Sequence, residues 1–521
     1  MTSAIGSPAS LPEAVAPVAP TPPAVGQPAW NARIAIGLAG ILVAAMMSGL
    51  NNRVGSLTLV DMAGARGLAA DDAHLLQTVY AAAELAAMPI AAWFATTLSL
   101  RRFHMGITLA FMLCAVLLPL APSFSWLVVL RTVQGLAGGA MIPVLMSAAL
   151  RFLPGPVKLQ GLGFYSLTAT FSPNLALWLA ATWTDGFHDW RLTFWQVIPV
   201  GFIVLAAIWW GIPKDPAKPE RFREMNVTGL ICGPLGLALL AYVLDEGQRL
   251  DWLHSTSISG LLIASLALIG AFLISEWFHP APFIRLQLLV RRNYHLGFPI
   301  FIGILVVSVA SALLPALQLA EVQRFRPQQI APIGLIISLP QLVLAPLVSW
   351  LLYRKWVDAR HVVAIGLLLI AASCWLGASL DSEWMVEQFW TVQLLQMIGQ
   401  PLAVVAFLYL AIGITAPAEG PYMSGLINTL KTIGSMGGAV LIEHLVHIGV
   451  AAHMRAMIDR AGRIGEIAAA GDVLGRFEPQ AITLAITDIY LMAAALALLL
   501  IPPTLLLTHV PAPSVPKQSK D

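Results

Sequence analysis

Residues Val129–Pro143 read VLRTVQGLAGGAMIP, and they decide the fold. They lie in an apolar run that begins near Phe124, yet Arg131 and Gln134 stand three residues apart within it. A helix on a soluble domain turns its arginine to water; a helix in a bilayer has no water to turn to. At about 1.5 Å of rise per residue Arg131 sits roughly 10 Å deep in the run, where burying an arginine costs about 2.5–3.5 kcal/mol on insertion scales. It therefore has to face protein or a water-filled cavity. Gly135 and Gly139, one turn apart, form a small-xxx-small seam along which a neighbouring helix can come close, and Gly138 widens that face.

The whole chain agrees with this local reading. Of its 521 residues 58% are hydrophobic and 11% charged, against roughly 25% charged in an ordinary soluble domain. Windows of 18 or more apolar residues recur, each long enough to cross a hydrocarbon core of about 30 Å. The fold class is an all-α polytopic membrane protein. A transmembrane barrel is excluded, because its strands alternate apolar and polar residues and these runs do not. A net charge of +2 gives no basic bias toward nucleic acid. Cys114, Cys232 and Cys374 sit inside apolar runs without a CxxC pair and read as packing residues.

Apolar runs between polar punctuation place about fourteen helices, centred near Ala44, Glu84, Met112, Gly138, Thr170, Gly201, Leu235, Ser265, Val307, Leu342, Leu367, Val404, Ser435 and Ala493. The order predicts a disordered Ala/Pro-rich tail over 1–29 with no positive n-region, and a six-helix bundle over 30–211. Charged linkers and two inserted helices follow over 212–294, then a second six-helix bundle over 295–508 with a long outer loop at about 451–480, and a tail over 509–521. Two six-helix halves with a site between them is a transporter architecture. Orientation follows from the short loops. With a cytoplasmic N-terminus, the inner loops hold Arg101, Arg102, Arg151, Lys158, Lys214, Lys218, Arg221, Arg223, Arg285, Arg291, Arg292, Arg354, Lys355 and Arg360. The short outer loops hold only Arg66, Arg191, Arg249, Arg324 and Arg326. The expectation is a multi-pass protein of the cell (inner) membrane with both termini cytoplasmic.

RTVQGLAGGAMIP resembles the helix-4 motif of the major facilitator superfamily, in which an arginine, a glutamine and a glycine stand at this spacing. LDEGQRLDWLHS, EWFHPAPFIRLQLLVRRNYHLG, SGLINTLKTIGSMGGA and ITDIYL extend the resemblance to its fourteen-helix drug:proton antiporter branch, over about residues 33–505. The resemblance implies two six-helix bundles plus two extra helices, with Gly434 and Gly438 packing helix 13 and Asn428, Lys431 and Asp488 at polar positions of helices 13 and 14. Asp488 stands where an aspartate looks usual for the branch.

This chain is a divergent member by the same motifs. Helix 1 of the branch usually ends Leu-Asp-x-Thr-x-Val-Asn; LNNRVGS puts Asn51 at the aspartate and Arg53 at the threonine. The loop after helix 2, normally Gly-x-Leu-Ala-Asp-Arg-x-Gly-Arg, reads AWFATTLSLRR, with Thr96 at the acid and Arg101 and Arg102 retained. The helix-5 motif Gly-Pro-x-x-Gly-Gly reads SPNLAL, which keeps Pro173 as a kink and places Asn174 beside it.

Glu84, mid-helix and flanked by alanines, is the best remaining acid of the first half. It can take up and release a proton unless Arg131 or Arg53 holds it ionised; the alternative is a structural ion pair. Arg53, Arg131 and Lys431 outnumber it, which predicts a cavity suited to anionic or neutral amphiphiles. For Lys431 the plainer expectation is a side chain that snorkels to an interface or meets helix-end carbonyls. EHLVH, with Glu443, His444 and His447, lacks the converging ligands of a metal site. Asp245 and Glu246, just after helix 7, read as solvated.

The expected function is secondary active transport: proton-coupled export of a small amphiphile by alternating access, with lipid bilayer, substrate and protons as partners. No metal, cofactor or nucleic acid is expected, and no Walker-type loop for ATP occurs. Exporters of the resembled branch often work in Gram-negative cells with a periplasmic adaptor and an outer-membrane channel. A facilitator or importer of the same fold is the alternative. A membrane-embedded enzyme is the more distant one, because no catalytic constellation is spaced for it.

Overall fold

A computed structural model describes residues 30–413, 415–464 and 470–511. Among them no strand occurs, and fourteen long helices follow in order: α1 (Ala32–Leu57), α2 (Ala70–Leu98), α3 (Leu100–Leu117), α4 (Phe124–Phe152), α5 (Gly155–Ala181), α6 (Val197–Gly211), α7 (Val227–Glu246), α8 (Thr256–Phe278), α9 (Arg292–Leu317), α10 (Pro327–Leu351), α11 (Ala359–Gly377), α12 (Phe389–Ile412), α13 (Gly420–Ile464) and α14 (Ala470–Leu499). Each predicted centre falls inside one of them. Among the described residues, 13 helical spans are long and apolar enough to cross a membrane. α5 stands outside that set and is more polar, with Ser166, Thr168, Thr170, Ser172 and Asn174 buried along it.

Helices are what a bilayer permits, since each then satisfies its own backbone. Where the chain turns, side chains take the first free N–H groups: Asn31 accepts from Ile34 N at 2.9 Å, and Asn226 from Gly229 N at 2.9 Å. One expectation fails here. The stretch at about 451–480, read as a long outer loop, is helical over its described residues, because α13 runs on to Ile464 and α14 starts at Ala470. Its alanines, arginines, methionines and glutamates are strong helix formers, so the helices continue although the residues turn polar. The expected tail over 1–29, and all but the first three residues of the one expected over 509–521, lie outside the described residues.

The packing repeats. In the first half α1 lies against α4, α5 and α6, α4 against α2 and α3, and α3 against α6. The second half repeats these pairs eight helices later: α9 against α12, α13 and α14, α12 against α10 and α11, and α11 against α14. Between the halves α5 meets α10 and α2 meets α13, so the second helix of each half packs on the fifth of the other. α7 and α8 pack on each other, and α7 lies against α2 and α13. An even number of helices brings residues 30 and 511 to one face. Toward that face the halves are pinned together: Ser424 Oγ of α13 bonds the Pro143 carbonyl of α4, and the α13 start at Gly420 abuts Leu150.

Candidate functional site

The polar core of the first half is built on three helix faces. On α2, Gln77, Tyr80 and Glu84 stand at i, i+3 and i+7 and therefore point the same way. Opposite them α4 presents Arg131 and Gln134, and α1 presents Ser48, Asn51 and Asn52. α4 can approach this closely because its glycines face α2: a Cβ at Gly135 or Gly139 would collide with the carbonyl of Tyr80 or Glu84.

Arg131 is 2% exposed, so its charge is held by protein. Its guanidinium donates to Gln134 Oε1 at 3.0 Å and to Gln77 Oε1 at 2.9 Å, and lies 4.4 Å above the Tyr80 ring. Gln77 Nε2 donates in turn to Asn52 Oδ1 at 2.7 Å, and Asn52 Nδ2 donates to Glu84 Oε2. One continuous chain of hydrogen bonds thus runs from Arg131 through Gln77 and Asn52 to Glu84, across all three helices. Glu84 is 5% exposed.

The second half sends one charge toward this chain. Lys431 of α13 is buried, donates to Thr168 Oγ1 of α5 at 3.2 Å and lies 5.6 Å from the Tyr165 ring, within electrostatic reach of Glu84. It does not snorkel, because its position, eleven residues into α13, leaves no interface within its length. Next to it Tyr165 OH donates to Asn428 Oδ1 at 2.6 Å, and Asn428 Nδ2 donates to the Ser424 carbonyl at 2.8 Å. Arg53, near the far end of α1, is exposed, with Glu443 and Glu84 in electrostatic reach. Glu443 therefore offsets part of the positive excess that the sequence predicts.

Of Asp245 and Glu246, expected in solvent, only Asp245 keeps some exposure. Glu246 is fully buried, accepting from Thr78 Oγ1 of α2 at 3.0 Å and from Arg249 Nε at 2.6 Å, and Thr78 also bonds Asp245. The same connection reaches α13, where Gln248 bonds His444 Nδ1 at 2.6 Å and Trp252 packs edge-on to the His444 ring. The carboxylates end α7 where it docks on α2, so the fold removes Glu246 from water and half-buries Asp245, with the one Thr78 hydroxyl shared between them. Among the described residues no three His, Cys, Asp or Glu side chains converge on a metal position.

Other residues singled out in the sequence lie away from this core. Arg101 is buried, its guanidinium 4.2 Å above the Trp209 ring, while Arg102 is exposed. Thr96, at the position of the absent acid, accepts from Arg221 of the linker at 2.7 Å. Pro173 lies within α5, and Asn174 Nδ2 bonds the Thr170 carbonyl at 2.7 Å where that helix meets α10 at Gly334. Gly434 and Gly438 face Ile302 and Val306 of α9. Asp488 pairs with His453 at 2.8 Å. Sequence reading missed Gln77, Asn52, Tyr80 and Thr168. The i, i+3, i+7 spacing on α2 was a usable signal for Gln77 and Tyr80; Asn52 and Thr168 had none.

Two pseudo-repeated helical halves, with buried charges where they meet, define a multi-pass membrane carrier. The chain belongs to the Major Facilitator Superfamily, whose family model matches residues 41–439; it is a transporter and not an enzyme. It is 26% identical over 372 residues to the colistin resistance protein EmrB of Acinetobacter baumannii, covering 71% of each chain. It is 24% identical over 350 residues to the multidrug export protein EmrB of Escherichia coli K12, covering 66% of this chain and 67% of the relative. To the fatty acid resistance protein FarB of Neisseria gonorrhoeae it is 24% identical over 405 residues, 76% of this chain and 77% of that one. Its fold is similar to that of the human organic anion transporter MFSD10 (TETRAN), with a TM-score of 0.52 at 13% identity, over 89% of this chain and 99% of that one.

Proposed function

We propose that this carrier exports small neutral or anionic amphiphiles in exchange for protons. The observation that carries the reading is the hydrogen-bonded chain from Arg131 to Glu84, with Lys431 of the opposite half in reach of the same carboxylate. Ionised, Glu84 attracts Lys431 across the interface and holds α13 toward α2. Protonated, it keeps its hydrogen bond from Asn52 and loses that attraction, so the halves part more easily. One buried acid that links proton uptake to the inter-half contact is what coupled rocking requires. The names of the relatives, which speak of resistance to colistin and to fatty acids and of multidrug export, support an exporter of amphiphiles.

The site roles follow: Glu84 carries the proton, Arg131, Gln134, Asn51 and Arg53 border the substrate path, and Gly135, Gly139 and Pro173 let helices pack and bend. With both termini cytoplasmic in the inner membrane, the pinned face is the inner one and the path opens outward. A periplasmic adaptor and an outer-membrane channel fit this placement. Ser172, Ala176 and Leu177, standing where the antiporter branch has glycine, serine's proline neighbour apart, favour facilitated transport as the second reading.

The test is counterflow in proteoliposomes under an imposed pH gradient, with wild type, Glu84→Gln and Arg131→Ala set against anionic, neutral and cationic amphiphiles. Wild-type export of anionic or neutral compounds that collapses with the gradient, and a Glu84→Gln variant that exchanges substrate but ignores the gradient, support the proposal. Movement indifferent to pH points to the facilitator, and preference for permanent cations overturns the assigned substrate class.

A further inference from the structure

Most helix pairs of one half recur in the other, but not all. α13 and α14 lie against each other, whereas their first-half counterparts α5 and α6 scarcely touch among the described residues. The gap they leave is a cavity of about 330 Å³ floored by α1, near the lower end of the roughly 300–1,000 Å³ of ligand pockets. Its walls are Met46 and Leu50 of α1, Leu179 of α5 and Val200 of α6. Val43, which also lines it, and the nearby Phe202 and Ile203 of α6 are exposed at the same depth, so the mouth opens sideways among the lipid-facing residues of two membrane spans.

Two amides border this apolar space. Gln196 is satisfied, accepting from Trp183 Nε1 at 2.8 Å and donating to the Thr193 carbonyl at 2.8 Å. Asn51 is not. It is wholly buried, and neither amide atom makes a well-formed hydrogen bond to protein, although the Tyr80 hydroxyl is close by. A buried polar group left unpaired costs about 1–3 kcal/mol, so packing alone does not account for an asparagine at this border. A ligand group that both accepts and donates does. No cation is among the lining residues, so a phosphate head would be buried without a counter-charge.

We propose that the crevice between α5 and α6 is a lateral binding site for a single-chain amphiphile whose head is a carboxyl, amide or hydroxyl group. The chain lies between Met46, Leu179 and Val200, and the head pairs with the Asn51 amide once that side chain, whose amide atoms are closed off from the crevice, turns toward it. Asn51 precedes Asn52, which holds Glu84, so an occupant that turns the Asn51 side chain acts one residue of α1 away from the polar chain of the carrier. Only this last link rests on the exporter reading; the binding site does not.

The full chain in nanodiscs, photolabelled with hexadecanoic acid bearing a mid-chain diazirine, tests it. The expected result is adducts on residues 43–51 and 197–200, several-fold above those on α13 and α14, and displaced by excess unlabelled acid. Asn51→Leu should weaken that displacement about tenfold, the loss of roughly one good hydrogen bond. Val200→Trp, or Met46→Phe if the first variant misfolds by size-exclusion and melting, should abolish the adducts. Equal labelling of α13 and α14, or equal labelling of the crevice by a phosphatidylcholine with the same diazirine chain, overturns the proposal. Adducts in the crevice of a wild type that moves nothing under a pH gradient uphold the site and sink the exporter reading. A transporting wild type with no adducts there sinks the site alone.

Discussion

α4 and α12 occupy equivalent places in the two halves, and both bury polar side chains, but of different kinds. α4 carries Arg131 and Gln134, and its arginine is tied through Gln77 and Asn52 to a carboxylate on another helix. α12 carries Gln393, Gln396 and Gln400, all buried and all neutral. The bonds these helices make are neutral: Gln393 donates to the Ser311 carbonyl at 3.4 Å, Gln341 of α10 to the Met397 carbonyl at 3.0 Å, and Gln400 to Gln396 Oε1 at 3.5 Å. A buried amide can be satisfied by a neighbouring carbonyl, while a buried guanidinium needs several partners and a counter-charge. One packing scheme thus serves two ends: α4 gathers charge in the first half, whereas α12 is fastened by neutral bonds in the second.

That contrast is broken most directly at Arg131. In Arg131→Ala the acceptors on Gln77 and Gln134 lose their donor, and we expect proton-driven transport to fall at least about a hundredfold in proteoliposomes. If Gln396→Leu in the second half costs as much, the chemistry is not confined to the first. The glycine seams give the next effect. Gly139→Leu should lower stability by about 3 kcal/mol or more through overpacking against the α2 backbone. Gly434→Ala, whose Cβ would meet Ile302 at an ordinary 3.4 Å, should cost under about 1 kcal/mol, both read from melting of the detergent-solubilised protein.

A neutral pair comes third. Gln77→Leu interrupts the Arg131–Glu84 chain and should shift the pH at half-maximal transport, whereas Gln341→Leu should change melting by about 1 kcal/mol and leave the pH profile in place. The smallest effect lies at the N-cap of α11, outside the membrane-spanning segment. Partial burial opposes ionisation of Asp358, but its bonds from Arg360, the shortest 2.6 Å, outweigh this and hold the carboxyl down at about 2. A depressed carboxyl stabilises the fold fully above its unfolded value near 4 and loses that contribution as pH falls through about 2. Asp358→Asn should therefore melt lower than wild type at pH 7, by roughly 0.5 kcal/mol for a pair this close to solvent, and the difference should close in strong acid. Because this pair does not titrate between pH 5 and 8, any dependence of transport in that range belongs to other groups.

Much of the architecture was legible before the fold was known. Fourteen apolar runs give fourteen helices, because a run of that length in lipid has no other way to satisfy its backbone. Arg131 beside Gly135 and Gly139 signalled a charge facing a close helix neighbour, since those residues share one surface of one helix. Where the reading failed, the missing information was a partner far away in the chain. Lys431 reads as a snorkelling lysine until Thr168 and Tyr165 are set beside it. Asp245 and Glu246 read as loop acids until α7 docks on Thr78. The helical continuation of α13 past residue 450 was open to propensity and was obscured by its charge.

By itself the sequence determined the class of solvent, the number of long helices and which residues were too polar to face lipid, because these depend on composition and on periodicities within one helix. Tertiary structure alone decided that Asn52 and Gln77 carry Arg131 to Glu84, that Lys431 reaches toward this chain from the other half, and that α5 and α6 stand apart where α13 and α14 close. Those outcomes are set by which faces of distant helices meet, and no local stretch of chain encodes its neighbour across the bundle.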